Sequence, residues 1–95
     1  VHPIVRTHPD TGRRALFVSE HFTTRVTGLP DSESGALLDD LFAHSTRHDF
    51  IYRHQWQAHD MLFWDNRSVM HLAAACPDHQ RRMLYRTTIE GNAPF

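Results

Sequence analysis

The run "WDNRSVMHLAAACPDHQRRMLYRTT", residues 64–88, places one imidazole, His71, eleven residues ahead of Arg82, with Arg86 four further on. On an extended chain, side chains alternate faces. Arg82, Leu84, Arg86 and Thr88 therefore share one face, and Arg81, Met83, Tyr85 and Thr87 the other. Backbone positions four residues apart lie ~13 Å apart at ~3.3 Å per residue, and the two long guanidinium side chains lean toward each other across that span. The gap suits a small dianion held at both ends by charge-assisted forks. An imidazole on the strand before, if it lies beside that face, suits a metal ligand that also chelates the bound anion. A solvated strand face with a surface histidine accounts for the same spacing, so the pattern alone leaves both readings open.

These residues need elements to position them. The hairpin candidate comes first: "HPIVRTH" is extended in character, "HPDTGRR" is a turn, and "RALFVS" is a second strand. Pro9 sets φ in the turn and Gly12 supplies a positive φ. "DSESGALLDDLFAHSTR" predicts one helix over about residues 31–46. Asp31 or Ser32 is a candidate N-cap, and acidic residues crowd the first turn. Leu37, Leu38, Leu41 and Phe42 form one apolar stripe, and Arg47 and His48 lie near the C-terminal end. Four more strands are expected in "FIYRHQW", "MLFWD", "SVMHLAA" and "RRMLYRTTIEG". A hairpin, one helix and then strands with no helix between them predict a mainly β domain, as an antiparallel sheet, sandwich or barrel with the helix packed outside.

Composition bounds the function. Ninety-five residues allow one small domain, and 40% hydrophobic with 22% charged residues is ordinary for a soluble globular protein. A formal charge of −1 gives no bulk electrostatic case for nucleic acid. No apolar run reaches the ~18 residues of a membrane span, and "VHPIVRTHPD" has no signal-peptide core. All ten basic residues are arginine, the better fork for carboxylates and sulfonates. The single cysteine, Cys76, rules out an internal disulfide framework and fits a reducing cytoplasm. The chain opens at Val1 directly into a strand-like segment, which suggests a piece of a longer protein.

"WDNRSVMH" followed by "RRMLYRTT" resembles the C-terminal half of the taurine dioxygenase family of Fe(II)- and 2-oxoglutarate-dependent dioxygenases. The likeness continues through "HPIVRTHPDTGRRALFVSEHFTTRVTGL" and "LLDDLFAHSTRHDFIYRHQWQAHDMLFWDNR", so it covers nearly the whole chain. It implies the C-terminal portion of a double-stranded β-helix, or jelly roll, with residues 1–95 as a single partial domain and the N-terminal half absent. It implies Fe(II), 2-oxoglutarate and O2 as metal, cosubstrate and oxidant. His71 corresponds to the distal histidine of a 2-His-1-carboxylate triad. Arg82 corresponds to the partner of the far carboxylate of 2-oxoglutarate. Arg86 sits nearer the metal, against cosubstrate and the acidic group of the substrate. Phe22 matches an aromatic that lines the substrate pocket, and Trp64 a tryptophan close to the iron.

The sequence also departs from the family. The other two iron ligands form a His-x-Asp pair well upstream, in a segment with no counterpart in this chain, and the N-terminal threonine that contacts 2-oxoglutarate is likewise missing. His8-Pro9-Asp10 has the spacing of that pair but falls in the hairpin turn, so it is rejected for the role. After His71 the chain reads "LAAACPDHQ", where close relatives carry an Asp-Tyr-containing loop. Two readings follow. The chain is an incomplete dioxygenase, inactive or nearly so by itself, whose parent enzyme hydroxylates a small sulfonate such as taurine, releasing sulfite, or a related acid. Alternatively it is a truncated, non-catalytic β-rich module that binds a small dianion or self-associates to cover the edges of half a jelly roll. A zinc domain built from the nine histidines has no H-x3-H or C-x2-C pair behind it. His44 and His48, at i and i+4 of a possible helix, still allow adventitious metal uptake.

Overall fold

The computed structural model describes residues 1–95. Two three-residue strands, β1 (Val5–Thr7) and β2 (Arg14–Leu16), pair antiparallel with Val5 opposite Leu16 and Thr7 opposite Arg14. The turn between them closes as its residues dictate. Gly12 takes φ 69° and donates its N–H to the His8 carbonyl at 2.8 Å, while His8 N–H donates to the Arg13 carbonyl at 2.8 Å. The C-terminal tail returns to the free edge of β1: Thr7 N–H donates to the Phe95 carbonyl at 2.7 Å, and Arg6 Nη2 to the Asn92 carbonyl at 3.3 Å. Arg6 is buried with its guanidinium 5.0 Å from the Phe17 ring centroid.

Helix α1 spans Asp31–Ser45, within one residue of the expected end. Its start at Asp31 is as expected, but its N-cap corrects the sequence reading of Asp31 or Ser32: Pro30 occupies that place and no side chain caps the helix. Proline has φ fixed near the −57° found here, and its carbonyl accepts the first intrahelical bond, from Ser34 N–H at 2.9 Å. Asp31 and Glu33 instead lie in the first turn, where the helix dipole favours them. Leu38 is the buried member of the apolar stripe; Leu41 and Phe42 are half-buried and Leu37 is exposed. Ser34, also buried, accepts from Val26 N–H at 2.7 Å and ties the helix to the preceding loop. Arg47 and His48 lie beyond the C-cap residue Thr46, with His48 opening a 3-10 turn over His48–Phe50. His44 and His48 therefore do not share a helix, and the paired-histidine metal reading fails.

The second half of the chain forms none of the four expected strands. Residues 51–95 carry neither helix nor ladder, so a jelly roll is not formed by these residues alone. The physical reason is that a strand exists only through a partner that takes up its N–H and C=O groups. A helix satisfies itself locally, and the hairpin finds its partner across a short turn. The apolar runs after residue 50 find no such partner. Met61, Phe63, Leu72, Met83, Tyr85 and Ile89 are all largely exposed. The accessible surface is 8754 Å², against about 5,700 Å² for a compact monomer of this mass. The radius of gyration is 16.2 Å, against about 12 Å for a compact chain of this length. No helix is long and apolar enough to cross a membrane.

Candidate functional site

The hairpin turn and the Trp64–Arg67 loop, 57 residues apart in sequence, are joined by a polar network. His8 Nε2 lies 2.9 Å from Asp65 Oδ2. Arg67 grips Asp65 with Nε at 2.9 Å from Oδ1 and Nη2 at 2.8 Å from Oδ2, and it reaches Asp10 Oδ2 through Nη1 at 2.8 Å. Arg67 N–H donates to Asp65 Oδ1 at 2.9 Å as well. His8 Nδ1 accepts from Asp10 N–H and Thr11 N–H at 3.2 and 3.3 Å. Both ring nitrogens of His8 are therefore engaged, and Asp10 is paired with Arg67. The polar groups of His8 and Asp10 are thus taken up by the turn and by the Trp64–Arg67 loop.

The forks from Arg67 and the bond from His8 hold the Asp65 carboxyl well below the usual carboxylate range, and the same pairing raises the Arg67 guanidinium above its ordinary value. A carboxyl whose folded value is lowered lends stability that is fully present above the unfolded value near 3.8 and fades as pH falls toward the folded one. The contribution of Asp65 to the loop contact is therefore expected to be fully present above about pH 4 and to weaken progressively below it. Amide protection of Val69 followed against pH checks this. Asp65→Asn should abolish the acid limb of that profile.

The expected site residues take the following places. Trp64 packs against His71 with ring centroids 4.9 Å apart and planes at 44°. The indole Nε1–H donates to Asn66 Oδ1 at 2.8 Å. His71 is exposed, and its ring nitrogens make no hydrogen bond, so either is available as a donor atom to a metal. Arg82 donates from Nη1 to the Ala74 carbonyl at 3.2 Å, three residues past His71. Arg86 is exposed and forms no ion pair. Phe22 is exposed, edge-on to His21 at 6.5 Å. All five border one open trough of about 4020 Å³, several times the ~300–1,000 Å³ of a small-molecule pocket. Most of the chain borders that trough, so a place on it does not by itself single these residues out.

The donor set tests the fit of an iron. His71 offers one imidazole, and no three His, Cys, Asp or Glu side chains converge. One free imidazole fits one position of a three-ligand facial site and does not complete it.

The sequence profile of the family described as "Taurine catabolism dioxygenase TauD, TfdA family" matches residues 1–88. The chain belongs to this family. Three TauD/TfdA relatives show the spread of chemistry around it. The alpha-ketoglutarate-dependent 2,4-dichlorophenoxyacetate dioxygenase of Cupriavidus pinatubonensis is 43% identical over 86 residues, which cover 90% of this chain. The alpha-ketoglutarate-dependent sulfate ester dioxygenase of Pseudomonas putida is 39% identical over 93 residues, covering 98%. Pentalenolactone F synthase of Streptomyces arenae is 36% identical over 84 residues, covering 88%. The chain spans only 30%, 31% and 28% of the lengths of these relatives. The TauD/TfdA family and its alpha-ketoglutarate-dependent relatives imply 2-oxoglutarate, O2 and iron as the working set.

The Asp65 network was not visible as a site in the sequence. "HPDTG" reads as a turn and "MLFWD" as a strand that ends at Asp65, and nothing local couples positions 57 apart. Their inclusion in the stretches that carry the family resemblance was the one available signal.

Proposed function

We propose that this chain is the C-terminal portion of an Fe(II)- and 2-oxoglutarate-dependent dioxygenase acting on a small acidic substrate. The family match over residues 1–88, which takes in Trp64, His71, Arg82 and Arg86 in order, is the observation that carries the reading. His71 would supply one imidazole to the iron, and the family's His-x-Asp pair would come from outside these 95 residues. When bound, the iron supplies the chemistry that couples O2 and 2-oxoglutarate to oxidation of a substrate carbon. The chain's own groups bind and orient. Arg82 would pair with the far carboxylate of 2-oxoglutarate through a charge-assisted fork. Arg86 would face the near end of the cosubstrate and the acidic group of the substrate. Phe22 would wall the substrate pocket, and Trp64 would keep water and side chains off one side of the His71 ring.

The substrate falls in a class of small anions: a sulfonate such as taurine, with sulfite released on hydroxylation beside sulfur, a sulfate ester, or an aryloxy carboxylate. The family description and the names of the relatives support that class. The test is a graft. This chain replaces the matching segment of the Cupriavidus enzyme, whose remainder is where the family's His-x-Asp pair is expected. Succinate formation is then measured with taurine, an alkyl sulfate and a phenoxyacetate. Substrate-dependent succinate supports the reading; a folded graft that forms none with any of the three contradicts it.

A second reading has its own observation. About 3,000 Å² of surface beyond that of a compact monomer is left uncovered, an area in the range of obligate interfaces. A non-catalytic module would cover it by self-association. Sedimentation equilibrium is expected to show species heavier than the 11.1 kDa monomer, increasing with concentration. A strictly monomeric chain at all concentrations would remove this reading.

A further inference from the structure

We propose that His8 and Asp65 are positioning residues for His71, acting through the loop that carries Trp64. The inference rests on the reading of His71 as an iron ligand only for its consequence in catalysis; the geometry stands by itself.

The loop between Trp64 and His71 is fixed at its base and closed at its tip. At the base, Asp65 receives His8, the Arg67 side chain and the Arg67 N–H on its carboxylate. Its backbone carbonyl accepts from Ser68 N–H and Val69 N–H, each at 3.1 Å, which closes the turn two residues before His71. At the tip, the indole of Trp64 lies 4.9 Å from the His71 ring, with its own N–H held by Asn66. The anchor at the other end is the β1–β2 hairpin, the one part of the fold with a strand ladder. Residues 68–75 are exposed and unladdered, so little else restrains the His71 ring.

The hydrogen bonds also fix the tautomer of His8. Its Nδ1 faces two backbone N–H donors and must accept. The ring proton then sits on Nε2 and is donated to Asp65. An imidazole with a donor on one side and an acceptor on the other positions the carboxylate, which a lysine or arginine at that place would not do with the same geometry.

The experiment is long-range 1H–15N NMR of the histidine rings in the 95-residue chain. In the parent chain, His8 is expected as the Nε2–H tautomer, and the His71 ring protons are expected upfield, displaced by the Trp64 ring. Trp64→Leu should abolish that displacement, which validates the readout. His8→Ala and Asp65→Ala should each remove most of it, His8→Gln should restore part through its amide donor, and Asp49→Asn, in an exposed pair remote from the loop, should leave it alone. Methyl signals of Val18 and Leu38 report that each variant keeps its core. His71 shifts unchanged in His8→Ala and Asp65→Ala with the core intact would overturn the proposal. So would a His8 ring carrying its proton on Nδ1. Failure of the dioxygenase reading would show instead as a graft without succinate formation while these NMR effects persist.

Discussion

Replacing His71 by alanine in the graft is expected to abolish substrate-dependent succinate formation, a loss of at least about a thousandfold, or ~4 kcal/mol of barrier. The size follows from the donor set. A facial site has three protein ligands, and under the proposed reading this chain would contribute one imidazole, His71. Losing a ligand that nothing nearby replaces removes the metal rather than tuning it, so added Fe(II) should not restore activity. His54 is a control of the same residue type. Its Nε2 is engaged by Asp60 at 3.0 Å and its ring lies edge-on to Trp56, and His54→Ala should leave the rate within about twofold, as substitutions outside a site usually do. Equal losses from both histidines would argue against a specific role for His71.

The second large effect is expected at Arg82. Its guanidinium rests on the Ala74 carbonyl, in the stretch that follows His71, where it can turn toward an incoming carboxylate. Removing one partner of a desolvated charge pair costs about 2–5 kcal/mol. Arg82→Ala should therefore raise the 2-oxoglutarate KM roughly a hundredfold or more, with a smaller fall in kcat. Arg82→Lys should recover only part, because an ammonium is a point charge and not a planar fork. Arg86→Ala is distinguished by a rise in the substrate KM as well. A change confined to substrate KM in Arg82→Ala would reassign that residue.

What the sequence disclosed divides along the range of the forces involved. Helix α1 was legible because its periodicity and its i to i+4 bonds are local. The hairpin was legible because Pro9 and Gly12 encode its turn. The start of the helix was placed correctly at Asp31, but its N-cap was not, because Pro30 is stereochemically ready for that place and needs no side-chain oxygen to mark it. The strands after residue 50 were read from residue types that favour extension, yet extension becomes a strand only when a non-local partner supplies the ladder. The link from His8 and Asp10 to Asp65 and Arg67 was illegible for the opposite reason: the turn in "HPDTG" and the strand in "MLFWD" were locally sufficient readings, and nothing local couples positions 57 apart. The family itself was legible because "WDNRSVMH" followed by "RRMLYRTT" is specific in order, spacing and residue type, and the match over residues 1–88 bears out that resemblance.

The most direct test is an anaerobic Fe(II) titration of the graft with 2-oxoglutarate present, followed by visible absorption. A metal-to-ligand charge-transfer band reports 2-oxoglutarate held on the iron. The account predicts the band in the graft, its loss in His71→Ala, and a requirement for much higher 2-oxoglutarate in Arg82→Ala. A band of undiminished intensity in His71→Ala would contradict it, because the iron would then be held without the residue on which this reading of the chain depends.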